Sequence, residues 1–501
     1  MARRDTGHDL RRAALTGIRW TAAMNWMAQG IAVGTVLVMA RLLGPTEFGL
    51  YSIASAIVFI GATFADQGFS VALIQRREVT PRDLHSVFWA SLSLGALFAI
   101  GMAAAAGPLS IWFNSPELKG VVLALAPVVP IMAVGGLLNA QLTHALRFRA
   151  LTWLSVLSAA AGAVLGIVMA ATGFGVWSLV GQVLVGNLLG LVGGFIATRY
   201  RPQPAFDAAA ARHLWRFGLW SLAGSLIGQV SQRATPLLIG LVFAPANVGL
   251  FGLGRRLMEV LQFLITGPIA QVAVPVMAKL QDDRARVATV ARNGLQALFA
   301  IVAPLFLLMA MVGPDALVGL LGDQWQGTVP LLPGLAAAAL FGSISWYCGS
   351  TLLALGHPKL RLLLPAIGLV TVLIVIPTLA DAGMTAIAWG FAAGSAINGL
   401  VGVALLTAIM PLAPIRLLTA IGASLPGLAI LYATTGFALA QLVALPVPVR
   451  LILAAVLGCL AYALVMWLIA PRLVARILDV LPFEFPLPSI IQQRIAAASA
   501  Q

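Results

Sequence analysis

The sequence is poor in charge, cysteine and histidine, and each shortage excludes a class of protein. Charged residues make up only 9% of the 501 residues and hydrophobic residues 60%, whereas about a quarter of a soluble domain is charged. The two cysteines, Cys348 and Cys459, both fall in apolar stretches, which argues against a disulfide framework. The five histidines are scattered without metal-ligand spacing, so no metal site is expected. The composition predicts an integral membrane protein.

The sequence consists largely of long apolar runs. Each is about twenty residues long, the length of a helix that crosses the hydrocarbon core. Lipid offers the backbone no hydrogen-bond partner, so these runs must be helices, and the short alternating segments of a barrel are not the pattern seen. The basic N-terminus leads into a full-length span without a clear cleavage site, so no cleavable signal is expected. We predict an all-α polytopic protein with about fourteen spans, near residues 19–41, 49–73, 84–107, 119–142, 151–171, 175–198, 214–242, 248–276, 287–312, 328–352, 361–380, 384–409, 417–436 and 450–470.

Basic residues sort to one side of these spans. With the N-terminus placed in the cytoplasm, 24 of the 30 Lys and Arg residues lie in cytoplasmic segments, three lie outside and three lie within spans. The positive-inside rule then puts both termini in the cytoplasm. The formal net charge of +14 follows from this topology and from attraction to anionic headgroups, so no nucleic-acid partner is expected.

The N-terminal part of the chain repeats itself at a spacing of 200 residues. Eight of the thirty-five residues in 17–51 are identical to the residue 200 positions later, among them the pairs Pro45/Pro245 and Gly49/Gly249. Six predicted spans separate the copies, so both enter the membrane in the same direction, as in transporters built from two parallel bundles around a central cavity. The predicted organisation is a cytoplasmic N-terminus at 1–18, an N-terminal lobe of six spans at 19–200, a C-terminal lobe of six spans at 201–410, two additional spans at 411–470 and a cytoplasmic tail at 471–501.

Seven short stretches carry a family resemblance through their order and spacing. They are ARLLGPTEFGLY at 40–51, FADQGFSVALIQR at 64–76, FWASLSLGAL at 88–97, LRFRAL at 146–151, GFGVWSLVGQ at 173–182, LGDQW at 321–325 and LALGHPKL at 353–360. On these stretches the chain resembles the polysaccharide transporter family of the multidrug/oligosaccharidyl-lipid/polysaccharide flippase superfamily, in the branch of the colanic-acid and lipopolysaccharide exporters. The resemblance runs from about residue 15 to about residue 410.

The resemblance implies a V-shaped, two-lobed transporter that is not an enzyme and uses no cofactor. Its expected cargo is an undecaprenyl-diphosphate-linked oligosaccharide, a precursor of exopolysaccharide or lipopolysaccharide. The cargo would move from the cytoplasmic to the periplasmic leaflet of the bacterial inner membrane by alternating access. The expected partners are this lipid-linked oligosaccharide, membrane lipids, and a polysaccharide polymerase with its export machinery.

Four arginines are candidates for holding the diphosphate of such a cargo. An arginine within a span is costly and usually faces a cavity or a partner, and its planar fork suits a phosphate. Arg233 lies in the outer half of span 7, Arg255 and Arg256 lie in the outer half of span 8, and Arg41 ends span 1 on the same side. If the lobes face each other as the family implies, the four form a cationic patch in the outer part of the cavity.

Each of these arginines also has an alternative interpretation. Arg41 stands at a helix end, where snorkelling to the interface is common. Arg255 and Glu259 are four residues apart on one helix face, so an internal ion pair competes with a ligand role. Arg256 points about 100° away from Arg255 and has no evident local partner, and neither has Arg233 in its own span.

The copies of the repeat differ in these cations. The positions equivalent to Arg233, Arg255 and Arg256 carry no charge in the first copy, where they are Val33, Ser55 and Ala56. We therefore expect the diphosphate-binding surface mainly on the C-terminal lobe.

Four polar residues within the spans complete the set of candidates. Asp66 in span 2 suits a coupling-ion site, or a structural role in which it caps a helix or pairs with Arg76 or Arg77 across the cytoplasmic loop. Glu259 is likewise a candidate for a coupling or a structural role. Gln29 and Gln229 occupy equivalent positions of the repeat, where they either line the cavity or form hydrogen bonds between helices.

Other functions stay open at this point. A peptidoglycan lipid-precursor flippase and a cation-coupled drug antiporter belong to the same superfamily. A polysaccharide polymerase or ligase is disfavoured, because the predicted outer loops are short and no paired carboxylates or nucleophile–base set occurs, so no catalytic residue is assigned.

Overall fold

The computed structural model describes most of the chain between residues 27 and 471. The described residues are 27, 29–66, 69–70, 73, 80–204, 226–279, 283–410 and 422–471. The predicted N-terminal segment at 1–18 lies outside them, as do Arg76, Arg77 and all but the first residue of the predicted tail at 471–501. Within the described ranges the secondary structure is helical, with no strand.

The helices follow one another with short connections. They are α1 Gln29–Leu42, α2 Pro45–Asp66, α3 Pro81–Trp112, α4 Pro116–Leu125, α5 Val128–His144, α6 Phe148–Ala171, α7 Val176–Thr198, α8 226–242, α9 Pro245–Lys279, α10 Arg284–Leu321, a 3-10 helix Asp323–Leu331, α11 Leu332–Ala354, α12 Pro358–Arg361, α13 Leu363–Leu379, α14 Gly383–Ile409, α15 Leu425–Gln441 and α16 Val447–Ile469.

These helices confirm an all-α, polytopic membrane architecture. Among the described residues, ten helical segments are long and apolar enough to cross a membrane, and α1 and α15 are shorter apolar helices. Most predicted spans coincide with a helix to within a few residues. The number of fourteen spans stays a prediction, because span 7 and the region before α15 are described only in part.

Two helices are longer than the sequence predicts, and both continue through a proline. The predicted spans end at residues 107 and 312, whereas α3 continues past Pro108 to Trp112 and α10 past Pro314 to Leu321. Proline removes one backbone donor and normally ends a helix in water. In a membrane a helix tolerates it, because neighbouring groups compensate for the freed carbonyl and leaving the helix would expose more of the backbone.

The contacts divide the chain into two compact units, residues 1–252 and 253–501. The predicted lobes at 19–200 and 201–410, with their accessory spans, stay a prediction. Each unit is described separately.

In the first unit, glycines allow helices to approach closely. A Cβ atom added to Gly162 of α6 would lie 2.6 Å from the carbonyl oxygen of Gln182 in α7, and one added to Gly95 of α3 would lie 2.7 Å from the Cα of Pro130 in α5. In lipid the hydrophobic effect does not drive helices together, and van der Waals contact between them takes its place. Small residues such as these glycines permit that contact.

The end of α7 is attached to α3 by a polar cluster. The His85 Nδ1 and the Tyr200 Oη lie 2.9 Å apart, and the Trp89 Nε1 donates to the carbonyl oxygen of Gln203 at 2.8 Å. Burial raises the pKa of Tyr200 to about 12, so the hydroxyl keeps its proton. The chain that leaves α7 is thereby held against the N-terminal turns of α3.

In the second unit, α11 packs against α14 and α10. A Cβ added to Gly334 of α11 would lie 2.8 Å from the carbonyl carbon of Ala388 in α14. On the α10 side, the buried Tyr347 donates a hydrogen bond to the carbonyl oxygen of Ala291 at 3.2 Å. One glycine and one buried hydroxyl therefore contribute to the packing of α11 against these two helices.

We expect Gly334→Ala to lower the melting temperature of the purified protein in detergent, because the new methyl group meets backbone atoms that cannot rotate away. Overpacking of this kind costs about 1–3 kcal/mol, more than the roughly 1 kcal/mol that alanine gains over glycine in a helix. Gly319→Ala in α10 is the matched control, since a Cβ there meets nothing within 4 Å. Equal melting temperatures for the two variants would contradict the packing described.

Candidate functional site

Arg233 lies near the middle of α8, in the first unit, with an aromatic ring beneath it. Its guanidinium carbon is 4.3 Å from the centre of the Phe59 ring of α2, and its side chain is half-buried. A guanidinium over an aromatic face is stabilised by about 0.5–2 kcal/mol, more when water is excluded. The ring occupies one face of the planar group, and the N–H bonds point outward in its plane.

Three charged side chains form a cluster on α9, in the second unit. The Arg255 Nε lies 2.9 Å from the Glu259 Oε1, and the Arg256 Nη1 lies 3.7 Å from the Glu259 Oε2. One carboxylate therefore faces two guanidiniums, and the cluster keeps a formal charge of +1. The Arg256 side chain is 44% exposed and the Arg255 side chain 29%.

This cluster corrects one prediction and agrees with another. The proposed pair between Arg255 and Glu259 is present, whereas the expectation that Arg256 has no local partner is wrong. Residues three apart on a helix are neighbours as well as residues four apart, and Glu259 is long enough to reach both arginines.

The remaining sequence candidates of the repeat lie on the first helices of each copy. Arg41 is exposed at the end of α1, and Gln29 and Gln229 are half-buried near the starts of α1 and α8. Ser55 and Ala56, which take the places of Arg255 and Arg256 in the first copy, are buried in α2. The positions of Arg255 and Arg256 in the second copy of the repeat are thus packing positions in the first copy.

Asp66 lies at the end of α2 in a hydrogen-bonded position. The Ser70 hydroxyl donates to its Oδ1 at 2.5 Å, and the Ser70 backbone N–H reaches the same oxygen at 3.4 Å. A Cβ added to Gly136 of α5 would lie 3.5 Å from that oxygen, so the carboxylate is packed close to α5. These contacts suit a structural role, while a coupling role for Asp66 stays a prediction.

An apolar groove on the first unit was not expected from the sequence. It has a volume of about 770 Å³ and lies between α2, α3 and α8, with Ile57, Phe64, Phe98, Met102 and Leu237 among its lining. Leu97 and Trp112 at its rim are both 66% exposed, as on a surface that faces lipid.

Phe59 is the residue at this site that the sequence analysis missed. Phe59 and Arg233 are 174 residues apart in the chain, and no local pattern connects them. A phenylalanine in an apolar span looks like any other packing residue until its partner is known.

Replacing Glu259 with Gln should lower the yield of folded protein, because two guanidiniums on α9 then lose their shared carboxylate within an apolar segment. Arg256→Gln is the matched change on the same helix, and it leaves the 2.9 Å pair between Arg255 and Glu259 intact. We expect a yield near wild type for Arg256→Gln, measured as the monodisperse peak in fluorescence-detected size exclusion. A Glu259→Gln variant as abundant as Arg256→Gln would show that the carboxylate does not stabilise the cluster.

Comparison with known proteins places the chain in a family. A family model described as polysaccharide biosynthesis protein matches residues 38–330, more than half of the chain. The succinoglycan biosynthesis transport protein ExoT of Rhizobium meliloti (strain 1021) is 27% identical over 320 residues, which cover 64% of this chain and 65% of that protein, slightly less than two thirds of its length. The lipopolysaccharide biosynthesis protein WzxC of Escherichia coli (strain K12) is 24% identical over 351 residues, which cover 69% of this chain and 70% of that protein.

A solved structure supports the architecture independently. The lipid II flippase MurJ in an inward closed conformation aligns with a TM-score of 0.74 at 14% identity, covering 91% of this chain and 99% of that one. At this identity the similarity concerns the fold alone, and it confirms the all-α membrane fold that the sequence predicts. By its family match and its helices, the chain is a multi-pass membrane protein that belongs to the polysaccharide biosynthesis protein family.

Proposed function

We propose that the protein is a flippase that moves an undecaprenyl-diphosphate-linked oligosaccharide, a precursor of exopolysaccharide or lipopolysaccharide, across the inner membrane by alternating access. The family match and the two relatives named for succinoglycan transport and lipopolysaccharide biosynthesis support this cargo. The single observation that carries the proposal is the group of arginines on α8 and α9, two helices that the sequence predicts as spans, because such a cargo brings a diphosphate into the membrane.

The proposed orientation has both termini in the cytoplasm, as the distribution of Lys and Arg indicates. The loops between α1 and α2 and between α8 and α9 then lie on the periplasmic side. The protein acts as a transporter rather than an enzyme. A polymerase and export machinery are its proposed partners, because they would consume the oligosaccharide on the outer leaflet.

The α9 cluster suits an exchange of one anion for another. Glu259 lies closer to Arg255 than to Arg256, by 2.9 Å against 3.7 Å, so Arg256 is the more weakly held of the two. A phosphate that accepts two parallel hydrogen bonds from a guanidinium is a stronger partner than a carboxylate at the longer distance. We assign Arg256 the first contact with phosphate and Glu259 the role of its resting counter-ion.

Arg233 in the first unit is the second proposed phosphate ligand. The Phe59 ring restricts the orientation of its guanidinium before any cargo binds, which reduces the entropy lost on binding. Arg41 and Arg255 complete the set as electrostatic contributors, and Gln29 and Gln229 as polar groups on the proposed path of the glycan.

Replacing Arg256 or Arg233 with Gln should lower transport by about tenfold or more, because a hydrogen bond to a charged group contributes about 1.5–3 kcal/mol. Lysine at either position should rescue only in part, since it keeps the charge but lacks the planar fork. Arg286→Gln is the control, because Arg286 is 76% exposed and pairs with Asp283 at the start of α10. The measurement is surface polysaccharide in a deletion strain that expresses each variant at equal folded yield.

The same strains test the cargo. Cells without the protein should accumulate the prenyl-diphosphate oligosaccharide on the cytoplasmic leaflet, and the wild-type gene should clear it. Rescue of a strain that lacks its peptidoglycan-precursor flippase, without an effect on surface polysaccharide, would contradict the proposed cargo. Wild-type transport by the Arg256→Gln and Arg233→Gln variants would contradict the phosphate ligands.

A further inference from the structure

The first turns of α2 and α9 contact each other through two glycines. A Cβ added to Gly49 would overlap the carbonyl oxygen of Pro245, and one added to Gly249 would overlap the carbonyl oxygen of Pro45. The same Cβ on Gly49 would lie 3.2 Å from the backbone nitrogen of Gly249. All four residues belong to the first unit. We call Gly49 and Gly249 the glycine pair.

The contact is reciprocal, and its members are equivalent residues of the repeat. Each glycine lies against the proline that begins the other helix, four residues before the other glycine. One turn further along, Gly252 faces its own equivalent, Ser52, with 3.8 Å between an added Cβ and the Ser52 Oγ. Two parallel helices related by a local twofold axis make contacts of this kind. The 200-residue repeat is thus visible at this point as a local symmetry.

Glycines further along the neighbouring helices make no such contact. A Cβ added to Gly30 or Gly34 of α1, or to Gly228 of α8, would meet nothing within 4 Å. Gly30 lies twelve residues before the end of α1, which is about 18 Å along the helix axis. The backbones of the two copies therefore touch at the end near the glycine pair, whereas these glycines further along have room beside them.

We propose that the glycine pair is a gate that closes the periplasmic end of the transport path and separates in each cycle. The assignment to the periplasmic end rests on the proposed function and its orientation. In the state described, the gate is closed.

A contact between backbones suits a gate that must open repeatedly. Helical carbonyl groups already accept hydrogen bonds within their own helix, so separating the helices leaves no polar group unsatisfied. Proline at the first helical position lacks an N–H group, which removes one of the donors that a helix start otherwise exposes. Glycine has no rotamer to restore when the contact reforms. Opening the gate breaks only weak contacts, including Cα–H···O=C contacts, and each of them contributes little free energy.

The first test measures the gate without any cargo. Spin labels on Thr46→Cys and Ala244→Cys, two exposed positions beside the contact, report its width in protein reconstituted into nanodiscs. Both label sites are introduced into a background protein that carries Cys459→Ser, because the exposed Cys459 would otherwise react with the label. Cys348 is buried and is left in place. Pulsed electron paramagnetic resonance gives the distribution of label distances.

We expect one short distance in the background protein and a shift of most of the distribution to longer distances in Gly49→Ala and in Gly249→Ala. Gly252→Ala is the matched control on α9, because its methyl group fits, and it should leave the distances unchanged. Alanine favours the helix over glycine at all three positions, so a shift cannot be attributed to loss of helix. Unchanged distances in Gly49→Ala and Gly249→Ala would overturn the inference.

The second test locks the contact. Ser52→Cys with Gly252→Cys brings two thiols together for a disulfide, because a Cβ at Gly252 lies 3.8 Å from the Ser52 Oγ, the atom that the sulfur of Ser52→Cys replaces. In vesicles that contain a fluorescent prenyl-diphosphate oligosaccharide, oxidation should abolish its movement and reduction should restore it. Full transport with the disulfide formed would show that the contact is permanent and would overturn the gate.

The two tests separate this inference from the proposed function. If the wild-type protein fails to move the fluorescent oligosaccharide, the proposed cargo is wrong, and the label distances still decide whether the glycine pair controls the width of this end.

Discussion

A peptide group within lipid has no water to bind, and the architecture of this protein follows from that constraint. Each span among the described residues is a helix, because a helix satisfies its own backbone, and even Pro108 and Pro314 leave their helices uninterrupted. The same solvent removes the hydrophobic drive that brings helices together in water, so association depends on close fit. This is why glycines such as Gly95, Gly162 and Gly334 face the backbone of a neighbouring helix.

The sequence predicts the helices well, because length and hydropathy determine where a chain can cross a membrane. It misplaces the ends of α3 and α10, since the predicted spans stop before Pro108 and Pro314 whereas both helices continue past these prolines. The pair of Arg255 with Glu259 is predictable because its spacing is local. The contact between Arg233 and Phe59 is not, because it joins two distant helices and depends on a tertiary arrangement that composition does not encode.

The charged residues show how cations can be stabilised on the helices of a membrane protein. Glu259 lowers the cost of Arg255 and Arg256, and Phe59 stabilises Arg233 through an uncharged ring. Because one carboxylate is shared by two guanidiniums, the cluster of these three residues on α9 has a formal charge of +1. This arrangement suits a protein whose proposed cargo is an anion.

The reciprocal contact of Gly49 and Gly249 has a consequence for how a two-copy chain can arise. Each helix start offers the other the same glycine and the same proline carbonyl, as the two halves of an isologous homodimer do. An ancestor with a single copy of this segment would form the contact with a second molecule of itself.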